Sequence, residues 1–365
     1  MTQLTNSVTK SGSKKIRFGL VGAGAIAQSY VQAFENCDEA TLVAVADSRK
    51  GAAQAVAERI GCASFDSVER MVAATDLDAA IVCTPPASHP EICIHLADSG
   101  INVLCEKPFS IDEESARRTL EAARRAGVKL TMGSKFRYVE DVTRAKSMVA
   151  SGILGDLVLF ENVFASRVDM KSRWNSNPEI SGGGVLIDNG THSVDLMRYF
   201  LGPLAEVHAL EGRRSQGLMV EETATVFVRS VSGVICSIDL SWSISKHRDS
   251  FLDIYGSLGA ISIGWKSSSY LDFALGKWVA FGNGYNKVQA FRSQIENFSK
   301  AIRGEEPLLI TGEDAMASVN IIASAYRALR QNKWVPVSRS LESQFEVDGI
   351  LSELADQHHP KEQPA

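Results

Sequence analysis

Several features that would place a protein in a special class are absent from this chain of 365 residues. The longest apolar runs, such as residues 42–46, are far too short to cross a bilayer, which takes about 20 residues. No stretch is rich in lysine and arginine, and the formal net charge is −5, so no nucleic-acid partner is indicated. Residues 1–15 lack the apolar segment of a signal peptide. We therefore expect neither a membrane protein nor a polyanion-binding protein.

The six cysteines form no CxxC pair and no cluster with histidine at the spacing of a zinc site. Cys83 and Cys105 lie in apolar segments that indicate buried strands, where a free thiol behaves as a small hydrophobe. Free thiols in place of a disulfide framework favour a reducing compartment. We therefore expect a cytoplasmic protein that binds no metal.

The order of apolar and amphipathic segments predicts an α/β protein with two domains. In the first part, helical segments alternate with strand-like segments at 16–21, 42–46, 79–83, 102–105 and 129–133. Such alternation is typical of a parallel, doubly wound sheet. After about residue 155 the strand-like segments alternate apolar and polar residues and follow one another across short turns. That pattern favours a largely antiparallel sheet.

The first predicted strand is followed by the loop GAGAIA, which fits the GxGxxA pattern of dinucleotide-binding turns. Gly22 permits a tight turn, Gly24 lets the backbone approach a pyrophosphate, and Ala27 allows close packing of helix and strand. Ala25 and Ile26 begin the helix whose N-terminus would face the phosphates. We predict that these five residues bind the cofactor, although a glycine-rich turn without a ligand has the same composition.

Asp47 ends the next strand, where an acidic residue would bind the ribose hydroxyls of NAD. The following residues, Ser48, Arg49 and Lys50, could instead hold the 2′-phosphate of NADP. A solvated helix start is the alternative for the two cations. We predict NAD as the cofactor, with NADP as the alternative.

Two further strand ends carry polar residues: Thr84, Pro85, Pro86 and His89 after one strand, and Glu106 and Lys107 after the next. The carboxyl ends of the strands of a doubly wound sheet share one edge, where ligands bind. Lys107 directly precedes a proline, so it is not expected in a helix and would project toward the nicotinamide. An ordinary surface lysine in a turn is the alternative.

Asp188 and His192 are four residues apart in a segment that predicts a helix, so they lie on one helical face. The three glycines at 182–184 would let the backbone pass close to a ligand. The pair suits a carboxylate that orients a catalytic imidazole. A polar helix start that includes a histidine explains the spacing as well.

In this order the motifs resemble the glucose–fructose oxidoreductase/inositol dehydrogenase (Gfo/Idh/MocA) family. The matching pieces are the GAGAIA loop, TPPASH at 84–89, Glu106-Lys107-Pro108, and GGGVLIDNGTHSVDL at 182–196. The resemblance implies a Rossmann domain followed by an α/β domain with an open, mainly antiparallel sheet. We accordingly predict a disordered arm at 1–14, a Rossmann domain at 15–135, a substrate-binding and oligomerisation domain at 136–338, and a tail at 339–365.

The resemblance also implies an NAD(P)-dependent dehydrogenase or reductase that acts on a sugar, a cyclitol or a sugar derivative. Lys107, Asp188 and His192 match the catalytic positions of the family, and the peptide bond after Lys107 is often cis there. Histidine titrates near neutral pH, so we assign His192 as the proton acceptor. Asp195, one turn further along the helix, would orient His192 or bind a substrate hydroxyl.

The predicted substrate contacts are the three catalytic residues together with Arg137, Tyr138 and Trp174. Arg137-Tyr138 stands where many family members have Arg-Phe. Two loops, 168–179 and 265–273, are expected to determine specificity.

Two other functions stay open: a redox-neutral enzyme that retains its NAD, such as a glycosidase or eliminase, and a non-catalytic dinucleotide sensor. We also predict a homodimer or homotetramer. A single helical layer would leave one sheet face exposed, with Phe227, Ile235 and Trp242 as candidate interface residues.

Overall fold

The structure, a computed structural model, describes residues 14–337. The predicted arm at 1–14 lies outside the described residues except for Lys14, and the predicted tail at 339–365 lies wholly outside them. Within the described part, the chain forms one sheet of six strands and one of nine.

The strands of the first sheet are β1 Ile16–Val21, β2 Ala40–Ala46, β3 Ala63–Phe65, β4 Ala79–Val82, β5 Asn102–Glu106 and β6 Leu130–Gly133. All pairings are parallel, in the order β3-β2-β1-β4-β5-β6. Alternate residues of β4 belong to two different apolar clusters, because both faces of the sheet are covered. The strand order reverses between β1 and β4, which opens a crevice at the carboxyl edge.

Five helices accompany this sheet: α1 Ala25–Phe34, α2 Ala52–Ile60, α3 Val68–Ala74, α4 His89–Asp98 and α5 Glu113–Ala126. Local signals fix their ends. The Asp112 side chain accepts a hydrogen bond from the Ser115 N–H at 2.8 Å and begins α5, and Gly127 ends it in the left-handed conformation. The predicted Rossmann arrangement is confirmed, whereas the short β3 and α3 were not predicted.

The second sheet contains β7 Leu157–Ala165, β8 Leu204–Glu211, β9 Thr223–Ser230, β10 Ile235–Ser241, β11 Ser250–Gly256, β12 Gly259–Gly264, β13 Ser268–Asp272, β14 Lys277–Gly282 and β15 Val335–Pro336. Their order is β14-β13-β12-β11-β7-β10-β9-β8-β15. Only β7 and β10 pair in parallel, so the predicted mainly antiparallel sheet is confirmed. Residues 265–273, predicted as a specificity loop, include β13, which pairs with strands on both sides.

The helices of the second part are α6 Glu140–Ala150, α7 Pro178–Ser181, α8 Val185–Leu201, α9 Lys287–Ile302 and α10 Gly312–Gln331. α8 packs against both the sheet and α10, and a Cβ at Gly190 would meet Leu240 of β10 and Ile322 of α10 at 3.2 and 3.3 Å. On the opposite face Phe227 is 37% exposed and Ile235 55% exposed. The prediction that Trp242 shares this exposed face is wrong, because its ring is buried.

One helix of the second part packs in the core of the first. In α9, the Phe291 ring meets Tyr30 of α1 edge-on at 4.6 Å, and Phe298 lies 6.1 Å from Phe18 of β1. All four side chains are fully buried in one apolar cluster. The hydrophobic core of the Rossmann domain therefore includes residues from beyond its predicted boundary at 135.

Among residues 14–337, no helix has both the length and the apolar character that a membrane span requires. The same residues contain no group of three or more histidine, cysteine, aspartate or glutamate side chains placed to hold a metal ion. All six cysteines are free thiols.

Candidate active site

A cavity of about 1120 Å³ lies at the carboxyl edge of the first sheet, between the two parts of the chain. One wall is formed by the segments that follow each of the strands β1 to β6. The opposite wall is formed by the segment after β7 and by the start of α8. A volume of this size exceeds that of a typical ligand pocket and has room for a dinucleotide beside a small substrate.

The glycine loop lines the end of this cavity nearest β1. Gly22 has φ +93°, and a Cβ there would lie 2.9 Å from the backbone of Cys83, so only glycine fits the turn. A Cβ at Gly24 would meet nothing within 4 Å, and α1 begins there without a side-chain cap. The first N–H groups of α1 are thus open to a phosphate. Ala25 and Ile26 also line the cavity, whereas Ala27 is buried beneath it.

Asp47 follows β2 at the same end of the cavity, and its carboxylate is already engaged. It accepts a hydrogen bond from the Ala23 N–H at 2.7 Å and forms an ion pair with Arg49 at 2.8 Å. Burial opposes ionisation, but these bonds outweigh it and lower the pKa of Asp47. Ser48 and Arg49 line the cavity beside it. The carboxylate expected to bind the ribose of NAD and the cation expected to bind the 2′-phosphate of NADP therefore lie together at one subsite.

The loop after β4 contributes Thr84 and Pro85 to the cavity, but Pro86 and His89 lie behind it. The His89 ring lies 2.8 Å from the Thr84 carbonyl and 3.0 Å from the Pro108 carbonyl. This buried ring joins two cavity loops, so the prediction that His89 and Pro86 contact the cofactor is wrong.

The residues after β5 meet α8 across the cavity. Lys107 Nζ donates to Asp188 Oδ1 at 2.5 Å and to the Asp188 carbonyl at 3.1 Å, and both side chains line the cavity. The preceding Glu106 accepts hydrogen bonds from the Lys107 N–H and from Tyr30. Burial raises the pKa of Glu106 despite the nearby lysines. The Lys107–Pro108 peptide bond is cis.

His192 lies one turn beyond Asp188, and its ring nitrogens contact Ser134 and Lys135. Its ring is only 4% exposed, with Nδ1 at 3.4 Å from Ser134 Oγ and Nε2 at 3.4 Å from Lys135 Nζ. Burial, followed by the charges of Lys135 and Lys107, places the pKa of His192 well below its usual range. The expectation that Asp188 orients this imidazole is therefore wrong, because Asp188 pairs with Lys107.

Lys135 also lines the cavity, and the sequence analysis missed it. It begins a short 3₁₀ helix, Lys135–Tyr138, directly after β6. β6 pairs in parallel with β5, so Lys135 and Lys107 follow strands that end at the same edge of the sheet. Its position at a strand end is the signal that could have identified it.

Arg137 and Tyr138 in the same short helix point into the protein. Arg137 is 3% exposed and forms ion pairs with Asp195 at 2.7 Å and Asp314 at 3.2 Å. The Tyr138 hydroxyl donates to Asn297 at 3.1 Å. The structure therefore contradicts the prediction that Arg137 and Tyr138 contact substrate, because distant segments supply their partners.

Asp195 is fully buried and accepts a hydrogen bond from Ser134 Oγ at 2.7 Å. It reaches His192 only through that hydroxyl. Of the two predicted specificity loops, 168–179 lines the cavity through residues that include Trp174, and 265–273 does not.

Residues 16–134 match the family described as "Oxidoreductase family, NAD-binding Rossmann fold", and residues 142–262 match the GFO/IDH/MocA C-terminal domain. The chain belongs to the GFO/IDH/MocA oxidoreductase family. Its N-terminal domain is accordingly an NAD-binding Rossmann domain.

Individual proteins are also similar to this chain in sequence or in fold. Inositol 2-dehydrogenase of Rhizobium meliloti is 25% identical, over 88% of this chain and 99% of that protein. D-glucoside 3-dehydrogenase of Escherichia coli is 35% identical, over 52% of this chain and 55% of that protein. Levoglucosan dehydrogenase in complex with NADH shares the fold, with a TM-score of 0.83 at 19% identity over 90% of this chain and 100% of that chain.

Proposed function

We propose that this GFO/IDH/MocA protein is a dehydrogenase that oxidises a secondary alcohol of a sugar, cyclitol or sugar derivative with NAD. The observation that carries the proposal is the Lys107–Asp188 ion pair, because its two partners come from opposite walls of one cavity. The cavity also contains a phosphate-accepting glycine loop. A sensor would need the loop but not the ion pair.

The residues of the glycine loop fit a dinucleotide, since Gly22 and Gly24 leave space for its phosphates at the start of α1. Asp47, Ser48 and Arg49 would hold the adenosine ribose at the far end. When bound, NAD would supply the nicotinamide carbon that accepts a hydride from the alcohol.

Lys107 is the electrostatic anchor in this proposal. Its ammonium group would bind the substrate oxygen and stabilise the negative charge that develops as the O–H proton leaves. Asp188 holds Lys107 in place and has a second oxygen for a neighbouring hydroxyl group. His192, whose Nε2 lies 3.4 Å from Lys135 Nζ, belongs with Lys135 to the residues that would receive the proton of the substrate hydroxyl.

Trp174, which is 42% exposed at the cavity wall, is suited to sugar recognition. An aromatic ring packs against the C–H face of a pyranose or cyclitol while polar neighbours bind the hydroxyls. The relatives named for inositol and glucoside point to the same classes of substrate.

NADH formation, followed by absorbance with cyclitols, aldoses, glycosides and nucleotide sugars, tests the proposal. We expect turnover with at least one class and a kcat about 10²–10³-fold lower in the Lys107→Met variant. Turnover without added cofactor would indicate the redox-neutral alternative. A chain that binds NAD and oxidises none of the four classes would be a sensor, and the proposal would fail.

We further propose that the protein is a cytoplasmic homodimer or homotetramer. The exposed apolar side chains on the open face of the second sheet, Phe227 and Ile235, support an interface between copies. The free thiols of all six cysteines support a reducing compartment.

A further inference from the structure

Three lysines line the catalytic cavity, and two of them, Lys107 and Lys135, have different surroundings. Lys107 is engaged by Asp188 through both the carboxylate and the backbone carbonyl. Lys135 makes no such ion pair with any residue of 14–337; its Nζ lies 3.4 Å from His192 Nε2 and over the rings of Phe136 and Phe291 at 5.0 and 5.8 Å. The ion pair thus holds Lys107 in place. Among the neighbours named here, the Lys135 amine contacts the imidazole of His192 and two aromatic rings.

The two ring nitrogens of His192 have different neighbours. Nδ1 lies near Ser134, and Nε2 lies near Lys135. Ser134 Oγ donates to Asp195, so it can accept a hydrogen bond from His192 Nδ1–H. That tautomer leaves the Nε2 lone pair directed at Lys135. The chain of contacts Asp195–Ser134–His192–Lys135 therefore runs from the buried core to the cavity, and only Lys135 lines the cavity.

We propose that Lys135 is a catalytic residue whose neutral amine takes the proton of the substrate hydroxyl, with His192 as its positioning residue. This inference rests on the proposed dehydrogenase function. The O–H bond breaks, a new N–H bond forms on Nζ, and the oxygen keeps the electron pair. That pair forms the carbonyl bond as a hydride leaves the same carbon for the nicotinamide dinucleotide. His192 Nε2 accepts a hydrogen bond from the resulting ammonium group.

The charges around Lys135 support this assignment. The groups that face it are Glu106 and Lys107 beside β5, Asp188 and His192 on α8, and Lys287 on α9. Burial, followed by the charge of Lys107, lowers the pKa of Lys135 to about 8. A neutral amine is therefore well populated at slightly alkaline pH. The pKa of His192 is shifted well below its usual value, so the proton stays on Lys135.

Substitutions at Lys135 separate proton transfer from simple positive charge. Lys135→Arg keeps the cation but has no accessible neutral form, so kcat should fall by about 10²–10⁴-fold. Lys135→Ala should lose as much and recover part of it when small primary amines are added. In the wild type, kcat/KM should rise with pH through an apparent pKa of about 8, and this ionisation should vanish in Lys135→Arg. Lys300→Arg, on a partly exposed part of α9, is the matched control.

A measurement without cofactor or substrate tests the contact itself. The pKa of His192 can be followed by NMR of ¹⁵N-histidine-labelled protein, with its signal assigned from a His192→Gln variant. In Lys135→Ala it should rise, because a neighbouring cation has been removed. The dispersion of the same spectra verifies that each variant is folded.

The possible failures are distinguishable. A wild-type protein that oxidises no alcohol overturns the proposed function and the catalytic role of Lys135 with it. An active wild type whose Lys135→Arg variant keeps its kcat and pH profile overturns the role of Lys135 alone. An unchanged His192 pKa in Lys135→Ala shows that the two side chains are not coupled and overturns the positioning role of His192.

Discussion

Replacing Arg137 with methionine should destabilise the protein and leave substrate affinity unchanged. The guanidinium is buried between Asp195 at 2.7 Å and Asp314 at 3.2 Å, and it donates to the Leu309 carbonyl at 3.2 Å. Without it, the fully buried Asp195 keeps, among residues 14–337, only the Ser134 hydroxyl as a side-chain hydrogen-bond donor. Removing one partner of a buried ion pair costs about 3–5 kcal/mol of unfolding free energy, because the other charge is left without compensation.

The penalty should depend on pH. Burial raises the pKa of Asp195, with Arg137 and Ser134 opposing the shift, and loss of Arg137 removes the larger opposing contribution. A carboxyl group that is protonated in the folded state binds a proton that the unfolded chain lacks. Stability then falls as pH rises from the unfolded pKa of about 3.9 to the raised folded pKa. The difference between variant and wild type should therefore widen with increasing pH.

Urea unfolding followed by tryptophan fluorescence, at several pH values, measures this difference. The matched control is Arg117→Met on the surface of α5, where the guanidinium is 51% exposed and pairs with Glu114 and Glu121. Exposed ion pairs contribute little, so this variant should unfold near the wild-type urea concentration. If Arg137→Met is as stable as the control but has a several-fold higher KM, the substrate-contact role of Arg137 is correct and our reasoning is refuted.

Four further substitutions probe the cofactor end, the anchor and the interface. Lys107→Met should lower kcat by about 10²–10³-fold and weaken substrate binding, since it removes an oxyanion-stabilising donor; fluorescence titration should show nearly unchanged NAD affinity. Asp47→Ala should lose preference for NAD over NADP, and Arg49→Ala should weaken NADP binding most, both measured as dissociation constants. Wild type should be oligomeric by light scattering, and Ile235→Lys, which places a charge on the exposed sheet face, should dissociate it.

Each of these expectations has an opposite outcome. A Lys107→Met enzyme with wild-type kcat would remove the anchor role. Far tighter binding of NADP than NAD by the wild type would make Arg49 the recognition element in place of Asp47. A monomeric wild type at micromolar concentration would refute the interface on the open sheet face.

The Rossmann half could be predicted because its signals are local. The buried AAIV strand and the GAGAIA loop each contain the pattern that requires their structure. Lys107 and Asp188 were also placed correctly at the cavity, because strand ends and a helix start converge at the carboxyl edge of a parallel sheet.

The direction of side chains in the turn after β6 could not be predicted. Lys135 and Arg137 are two residues apart, yet one lines the cavity and the other is buried. Asp314, which pairs with Arg137, is 177 positions away in the chain, and no short-range pattern reveals such a partner. Trp242 shows the same limit, since it is buried and its backbone carbonyl accepts hydrogen bonds from Val168 and Gln216, which lie far from it in the chain.

The packing of α9 against β1 and α1 affects how the chain folds during synthesis. Phe18 and Tyr30 are made early, whereas Phe291 and Phe298, which cover them, leave the ribosome only after all strands of the first sheet have been made. Until then the nascent Rossmann segment exposes an aromatic surface that promotes aggregation. A fragment ending near residue 135 would keep that surface permanently exposed, so we expect the nucleotide-binding half not to fold on its own, although its sheet is complete.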